Sequence, residues 1–140
     1  MEIQKINVYF GTYTNANSSD GIYHSVLDLM TGGLSNPELA HAASNPTFLE
    51  IHPSSKFLYS VTERNPGEVS AFAIDPATRK LALINKSSTE GKGPCHLCIS
   101  SDGKALLVAN YGSGSVASIR INGDGSLAGP ASSFQHTGSS

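Results

Sequence analysis

Two side chains in the middle of the chain have the chemistry of a general acid or base. His96 lies in Gly93-Pro94-Cys95-His96-Leu97, and Glu63 follows the largely apolar run Phe57-Leu58-Tyr59-Ser60-Val61-Thr62. A histidine exchanges protons near neutral pH, and a carboxylate takes a proton from water or orients a histidine. We therefore expect His96 and Glu63 to be catalytic, with Glu63 as the base or as the partner of His96. Two alternatives stay open, a hydrogen-bonded packing histidine and a solvated loop acid.

Four further polar side chains are of types that hold an anionic ligand in place. Arg64 carries a guanidinium, which binds a carboxylate or a phosphate through two parallel hydrogen bonds. Asn110, Tyr111 and Tyr13 supply amide and hydroxyl groups. We expect these four residues to bind substrate. The open alternatives are an exposed loop arginine at 64, an asparagine at 110 that satisfies its own turn, and a tyrosine at 111 that covers the boundary between structural units.

The motif Cys95-His96-Leu97-Cys98 raises the question of a metal or redox site. Residues three apart on a strand point to opposite faces, so the two sulfur atoms cannot converge on one ion. No second cysteine pair completes a four-ligand zinc site. We expect two small buried side chains, no metal and no cofactor. We also expect the remaining histidines to be structural or exposed, namely His24, His41, His52 and His136.

These residues belong to a repeat of roughly 47 residues. The segment 45–51 (Asn-Pro-Thr-Phe-Leu-Glu-Ile) aligns with 93–99 (Gly-Pro-Cys-His-Leu-Cys-Ile) at an offset of 48 residues. After a slip of one residue, Gly67-Glu68-Val69 aligns with Gly114-Ser115-Val116. An earlier copy joins at an offset of 47 residues, where 21–34 aligns with 68–81. Three copies therefore fill the chain.

Each full copy reads as four short strands with turn residues such as Asp102-Gly103 between them. The expected strands are 48–52, 57–62, 69–75 and 81–86 in the second copy, and 96–100, 106–110, 116–121 and 133–137 in the third. Four strands in a repeat of this length predict an all-β fold, the β-propeller, built of four-stranded antiparallel blades. The predicted blades are 1–44 (which lacks its inner strand), 45–92 and 93–140.

Composition narrows the class of protein further. The 140 residues include 9 Lys+Arg and 11 Asp+Glu, and their net charge of -2 with no basic cluster argues against a nucleic-acid or anionic-membrane partner. The longest apolar run, 105–109, is too short to span a membrane, and no signal core follows Met1, so we expect the cytoplasm. Closed propellers typically have four to eight blades. Three blades therefore predict a fragment of a protein of roughly 330 residues.

Four segments carry a resemblance to a known family. They are 8–14 (Val-Tyr-Phe-Gly-Thr-Tyr-Thr), 45–49 (Asn-Pro-Thr-Phe-Leu), 93–97 (Gly-Pro-Cys-His-Leu) and 107–112 (Leu-Val-Ala-Asn-Tyr-Gly). Together they resemble the lactonase family of seven-bladed β-propellers, which includes 6-phosphogluconolactonases and carboxymuconate lactonising enzymes. The resemblance covers the whole chain but only about three-sevenths of such a propeller, at its N-terminal end.

The resemblance implies a hydrolase that opens a sugar-acid lactone such as 6-phosphogluconolactone, or else an enzyme that forms a lactone. It also implies that later residues of the family's active site are missing here, so that the chain is inactive by itself. The alternative is a non-enzymatic ligand-binding propeller, completed by oligomerisation. The expected partners are a small lactone or sugar acid and either the remaining blades or further copies of the chain, with no nucleic acid and no membrane.

Overall fold

The computed structural model describes residues 3–15 and 18–138. Within these residues the chain is all-β, as predicted, and no helix is present that could cross a membrane. The strands are β1 Lys5–Phe10, β2 Gly21–Asp28, β3 Glu38–Ala42, β4 Leu49–Ile51, β5 Phe57–Thr62, β6 Glu68–Ile74, β7 Leu81–Ser88, β8 Pro94–Ile99, β9 Ala105–Asn110, β10 Ser115–Ile121 and β11 Leu127–Gln135.

The strands form three antiparallel sheets, each a meander of consecutive strands. Sheet 1 contains β1 to β3, sheet 2 contains β4 to β7, and sheet 3 contains β8 to β11. Short connections suffice because each strand pairs with the next one along the chain. This is the blade architecture of a propeller, as predicted. The division of the chain at residues 44 and 92 into blades stays a proposal.

Aspartates fix several of the turns between strands. The Asp75 carboxylate accepts the backbone N–H groups of Ala77 at 2.8 Å and Thr78 at 3.1 Å. Asp102 and Asp124 accept backbone N–H groups two residues further on in the same way. Hydrogen bonds to the charged form lower the pKa of all three carboxyl groups. The sequence places turn-forming residues at these points for this reason.

The sheets stack face to face, and the core lies between them. Between sheets 1 and 2, Ile22 packs with Leu58 and Phe72, and all three are at most 1% exposed. Between sheets 2 and 3, Tyr59 and Val69 belong to a larger cluster that also contains Val61, Ala71, Leu97, Leu106, Val108, Ala117 and Ile119. Complete burial of a large aliphatic or aromatic side chain contributes about 1.5–3 kcal/mol. Sheet 2 is therefore covered on both faces.

Neighbouring sheets are also joined by a repeated tyrosine contact. The Tyr9 hydroxyl of sheet 1 donates to the Arg79 carbonyl oxygen at 2.8 Å, beyond the end of β6. The Tyr59 hydroxyl of sheet 2 donates to the Gly125 carbonyl oxygen at 2.7 Å, beyond the end of β10. Burial raises the pKa of Tyr59 to about 12 because the phenolate would lose its hydration.

The last strand starts earlier than the sequence predicts. We expected a strand at 133–137, whereas β11 begins at Leu127, directly after the turn that ends β10. Gly129 and Pro130 interrupt the strand pattern in the sequence. Proline is tolerated there because β11 is the edge of sheet 3, and the register shifts on both sides of Ile119 absorb the irregularity.

Candidate functional site

Loops from all three sheets meet at one edge of the molecule, which we call the rim. It consists of the loops before β4 and β8 and the loops after β1, β5 and β9. Backbone hydrogen bonds join them, because Glu63 N–H donates to the Asn45 carbonyl at 3.1 Å and Gly93 N–H donates to the Arg64 carbonyl at 2.9 Å. Tyr111 N–H in turn donates to the Gly93 carbonyl at 3.0 Å.

Close contact at the rim depends on Gly11. Thr12 N–H donates to the Pro46 carbonyl oxygen at 3.1 Å. A Cβ atom on Gly11 would overlap that same oxygen, so any other residue would push the β1–β2 loop away from sheet 2. Because Gly11 has no side chain, the β1–β2 loop can approach sheet 2, and Tyr13 lies close to the residues that follow β5.

Asn45 is the anchor of the rim, a role that the sequence reading missed. Its Oδ1 accepts the Thr14 N–H at 2.8 Å, and its Nδ2 donates to Asn15 Oδ1 at 3.2 Å. The side chain is only 7% exposed and the backbone is left-handed, with φ of 43°. Asparagine tolerates this conformation better than most residues. In the sequence Asn45 began a repeat segment and a segment that resembles the family, but no role was assigned to its side chain.

Glu63 is held as a hydrogen-bond acceptor by two hydroxyl groups from different loops. The Tyr13 hydroxyl lies 3.1 Å from both carboxylate oxygens, and Thr47 Oγ1 donates to Oε2. The hydrogen bond to Glu63, followed by its negative charge, raises the pKa of Tyr13. The phenol therefore keeps its proton and donates it. Tyr13 and Glu63 are thus two predicted site residues that the structure brings into contact, and Thr47 is one that the prediction did not include.

His96 is exposed rather than buried in the core. Its ring packs against Phe48 in a tilted arrangement, with 4.4 Å between centroids and 45° between the planes. Phe48 is the residue that aligns with His96 in the preceding repeat, so two equivalent side chains meet between sheets 2 and 3. Within the described residues no hydrogen bond joins Glu63 to His96. The structure therefore does not show the expected pairing of these two side chains.

The remaining predicted residues differ in their access to solvent. Arg64 is exposed and donates from one Nη atom to Ser44 Oγ at 3.1 Å, while Tyr111 is 85% exposed. Asn110 is 1% exposed, and its Nδ2 donates to the Thr89 carbonyl oxygen at 2.8 Å. This bond ties the loop before β8 to the end of β9. As substrate contacts, Arg64, Tyr111 and Asn110 stay predictions.

The prediction that Cys95 and Cys98 are buried is wrong, because both thiols are free and exposed. Cys98 pairs with Leu107 on the outer face of sheet 3, which no other part of the described chain covers. Cys95 lies at a register shift between Pro94 and His96, which disrupts the regular alternation of faces. Among the described residues, no three His, Cys, Asp or Glu side chains are grouped so that they could hold a metal ion.

Three other histidines have structural contacts. His24 Nε2 lies 2.8 Å from Asn7 Oδ1, His41 Nδ1 lies 2.7 Å from the Ala42 carbonyl oxygen, and His52 Nε2 lies 2.9 Å from the Gly103 carbonyl oxygen. None of these contacts involves a residue of the predicted site. These three histidines are therefore not catalytic candidates, whereas His136 lines a cavity together with Cys95, Asn110 and Tyr111.

The sequence of this chain matches one known protein family. The family model for "Lactonase, 7-bladed beta-propeller" matches residues 7–140. The chain belongs to the lactonase family. The expected family and its β-propeller fold are thereby confirmed.

Among its relatives, the lactonase-family chain is 37% identical over 131 residues to a 6-phosphogluconolactonase of Bacillus subtilis, covering 93% of this chain and 37% of that protein. A structure from Bacteroides uniformis, described as a candidate 6-phosphogluconolactonase, superimposes with a TM-score of 0.90 at 32% identity, covering 98% of this chain and 39% of that one. A periplasmic gluconolactonase of Pseudomonas aeruginosa gives a TM-score of 0.87 at 32% identity, covering 94% and 39%. The chain thus spans less than two-fifths of the length of these relatives.

Proposed function

We propose that this chain forms part of a lactonase that hydrolyses a sugar-acid lactone such as 6-phosphogluconolactone. The observation that carries the proposal is the group of Tyr13, Thr47 and Glu63 at the rim of a lactonase-family chain. The names of its relatives support the substrate class, since one is a 6-phosphogluconolactonase and another a gluconolactonase. Three loops thus bring polar groups together at one rim, as a small-molecule site requires.

The proposed reaction opens an ester ring with water. A base takes a proton from water as its oxygen attacks the carbonyl carbon, and the negative charge on the carbonyl oxygen is stabilised. The bond from that carbon to the ring oxygen then breaks, and the ring oxygen receives a proton. His96 is the proposed proton carrier because its ring is exposed and its nitrogens have no protein partner among the described residues.

In this scheme Glu63 acts either as the base or as a positioning residue. The two hydroxyl groups that donate to its carboxylate hold it in place. Because Tyr13 and Thr47 already occupy its oxygens, Glu63 presents a fixed negative charge to the rim. Arg64 is the proposed anchor for the carboxylate or phosphate of the ligand. In the part of the chain that the structure describes, one of its Nη atoms donates to a side chain, Ser44, so the guanidinium retains donors for an anion.

A second candidate function of the same rim is ligand binding without turnover. The observation that favours it is that the Glu63 carboxylate already accepts hydrogen bonds from Tyr13 and Thr47, so these protein contacts alone account for its position. We also propose that the chain has no activity by itself, because it spans under two-fifths of the length of its relatives.

We propose the cytoplasm as the compartment of the protein. The free thiols of Cys95 and Cys98 fit a reducing cytoplasm, whereas one relative is named periplasmic.

The substrate proposal is tested in a longer relative that carries Arg64 at the aligned position. The kcat/KM for 6-phosphogluconolactone and for unphosphorylated gluconolactone is measured by proton release at constant pH. Arg64→Met should lower kcat/KM for the phosphorylated lactone about 10- to 100-fold more than for the other, as expected for a lost charge-assisted hydrogen bond. Lys56→Met, which alters an exposed cation in the β4–β5 turn at the opposite end of sheet 2, is the control. Equal losses on both lactones would remove Arg64 from the ligand site.

A further inference from the structure

A cavity of about 100 Å³ lies between sheets 1 and 2, next to the rim. The end of β3 and the loop that follows it line one side, and β6, β7 and the residues that end β5 line the other. Part of its wall is apolar, because the His41 ring packs against Phe72 with 4.9 Å between centroids, and Phe72 is 1% exposed. We call this cavity the inter-sheet groove.

Three further side chains of the groove are hydrogen-bond donors. Arg64 and Lys86 are exposed cations, whereas Ser70 on β6 is only 5% exposed. Within the described residues the Ser70 hydroxyl has no hydrogen-bond partner, and neither cation is in ion-pair contact with a carboxylate. Buried hydroxyl groups in proteins are nearly always bonded to protein, water or a ligand. The groove therefore combines two uncompensated positive charges with a buried donor that lacks an acceptor.

The next repeat indicates that the fold does not need these polar side chains. Ser70 on β6 pairs with Lys86 on β7, and the pair found 47 residues later, on β10 and β11, is Ala117 with Ser133. Ala117 belongs to the core between sheets 2 and 3 and is 2% exposed. The same sheet geometry thus forms with a methyl group in place of the buried hydroxyl and with no positive charge beside it. Packing alone does not explain the donors of the inter-sheet groove.

We propose that the inter-sheet groove binds the phosphate group of the ligand through Arg64, Lys86 and the Ser70 hydroxyl. A phosphate group offers acceptor oxygens to a guanidinium, an ammonium and a hydroxyl at the same time. The Arg64 guanidinium is already held at the groove by its hydrogen bond to Ser44 Oγ. The proposal rests on the proposed function, because it names the place where the acidic group of the lactone is held and adds Lys86 and Ser70 to Arg64.

Glu68 lines the same groove and acts against an anion. Its negative charge opposes phosphate binding, while the two positive charges of Arg64 and Lys86 favour it. Changes of charge on neighbouring strands should therefore have opposite effects. Loss of the Lys86 ammonium should weaken phosphate binding, and loss of the Glu68 charge should strengthen it. A purely structural role of these side chains would not produce this pair of signs.

The test is a calorimetric titration of the 140-residue chain with inorganic phosphate, at low ionic strength because salt screens charges at exposed sites. We expect saturable binding of one phosphate per chain. Lys86→Ser and Ser70→Ala should each raise the dissociation constant at least about fivefold. Both changes follow the residue types that the next repeat carries at these positions, so the fold accommodates them.

Two more variants complete the titration. Glu68→Gln should lower the dissociation constant for phosphate about two- to fivefold, because it removes the opposing charge and keeps the shape of the side chain. Lys56→Met, at an exposed cation in the β4–β5 turn, is the matched control for a lost positive charge and should bind phosphate like the wild type. A wild type that does not bind phosphate, or one dissociation constant for all the variants, would overturn the proposal.

Other anions test the choice of phosphate. A phosphate monoester, 6-phosphogluconate, should displace inorganic phosphate from the groove, and acetate should bind at least about tenfold more weakly because it carries less charge and fewer acceptor oxygens. Acetate that binds as tightly as phosphate, or a monoester that does not compete, would also overturn the proposal.

The titration fails independently of the proposed function, since it requires no turnover. If a longer relative hydrolysed neither lactone while this chain bound phosphate with the expected order of variants, the proposed function would fail and the phosphate site would stand. If the relative hydrolysed the phosphorylated lactone while this chain bound no phosphate, the inter-sheet groove would be excluded and hydrolysis would stand.

Discussion

Replacing Asn45 should weaken the whole rim, because this one side chain ties two loops together. Asn45→Ala removes the acceptor of Thr14 N–H and the donor to Asn15 Oδ1. A buried polar group left without its partner costs about 1–3 kcal/mol. An alanine at φ of 43° adds about 1 kcal/mol, because its Cβ crowds the left-handed backbone. We expect Asn45→Ala to lower the free energy of unfolding by about 2–4 kcal/mol.

The assay is urea unfolding followed by circular dichroism, at one fixed protein concentration so that any association contributes equally. Asn45→Gly removes the same hydrogen bonds without the backbone cost, so its loss should be smaller by up to about 1 kcal/mol. Asn36→Ala, at an exposed asparagine before β3, is the matched control and should stay within about 0.5 kcal/mol of the wild type.

Asn45→Ala should also change the titration of Tyr13. Glu63 raises the pKa of Tyr13, and this shift requires the loop that Asn45 holds. The phenolate absorbance that disappears in Tyr13→Phe should therefore appear at lower pH in Asn45→Ala. A variant with unchanged stability and an unchanged Tyr13 titration would refute the role of Asn45 as the anchor.

Two further predictions concern contacts between the sheets. The pKa of Tyr59 is about 12 in the folded chain against 10.0 ordinarily, so the stability it contributes is present below pH 10 and is lost as pH rises toward 12. Over this pH range the wild type should therefore lose about 2–3 kcal/mol more than Tyr59→Phe in urea unfolding. Asn85 donates to the Leu127 carbonyl oxygen at 2.9 Å and accepts the Leu127 N–H at 2.9 Å. Asn85→Ala should therefore cost about 1–3 kcal/mol, whereas a cost below about 0.5 kcal/mol would mean that this pair does not join sheets 2 and 3.

The fold could be predicted because the repeat constrains it at every level. Alternation of apolar residues and the turn aspartates fix strands and hairpins locally, and the 47- and 48-residue offsets fix which strands are equivalent. Where a local signal contradicts the fold, the prediction failed. Gly129 and Pro130 hid the first half of β11, since an edge strand accepts residues that an inner strand would not.

The candidate site could be predicted only in part. Residue type identified Glu63 and Tyr13, but their contact joins residues 50 positions apart and follows from how the loops dock. Asn45 has a neutral amide side chain that cannot act as an acid or a base, so its residue type did not mark it as a site residue. Its importance arises from its burial and its left-handed backbone. The burial of Cys95 and Cys98 was misjudged because it depends on whether a further sheet covers the outer face of sheet 3.

The role of the rim in lactone hydrolysis is tested most directly by kcat and melting temperature measured on the same variants. The protein is a longer lactonase-family relative that carries His96 and Glu63 at the aligned positions, and the variants are His96→Ala and Glu63→Gln, with Glu38→Gln as the exposed control. If the two residues act on the lactone, kcat should fall at least about a hundredfold in either variant while the melting temperature barely changes. A lowered melting temperature with unchanged kcat would contradict the proposal and make these residues structural.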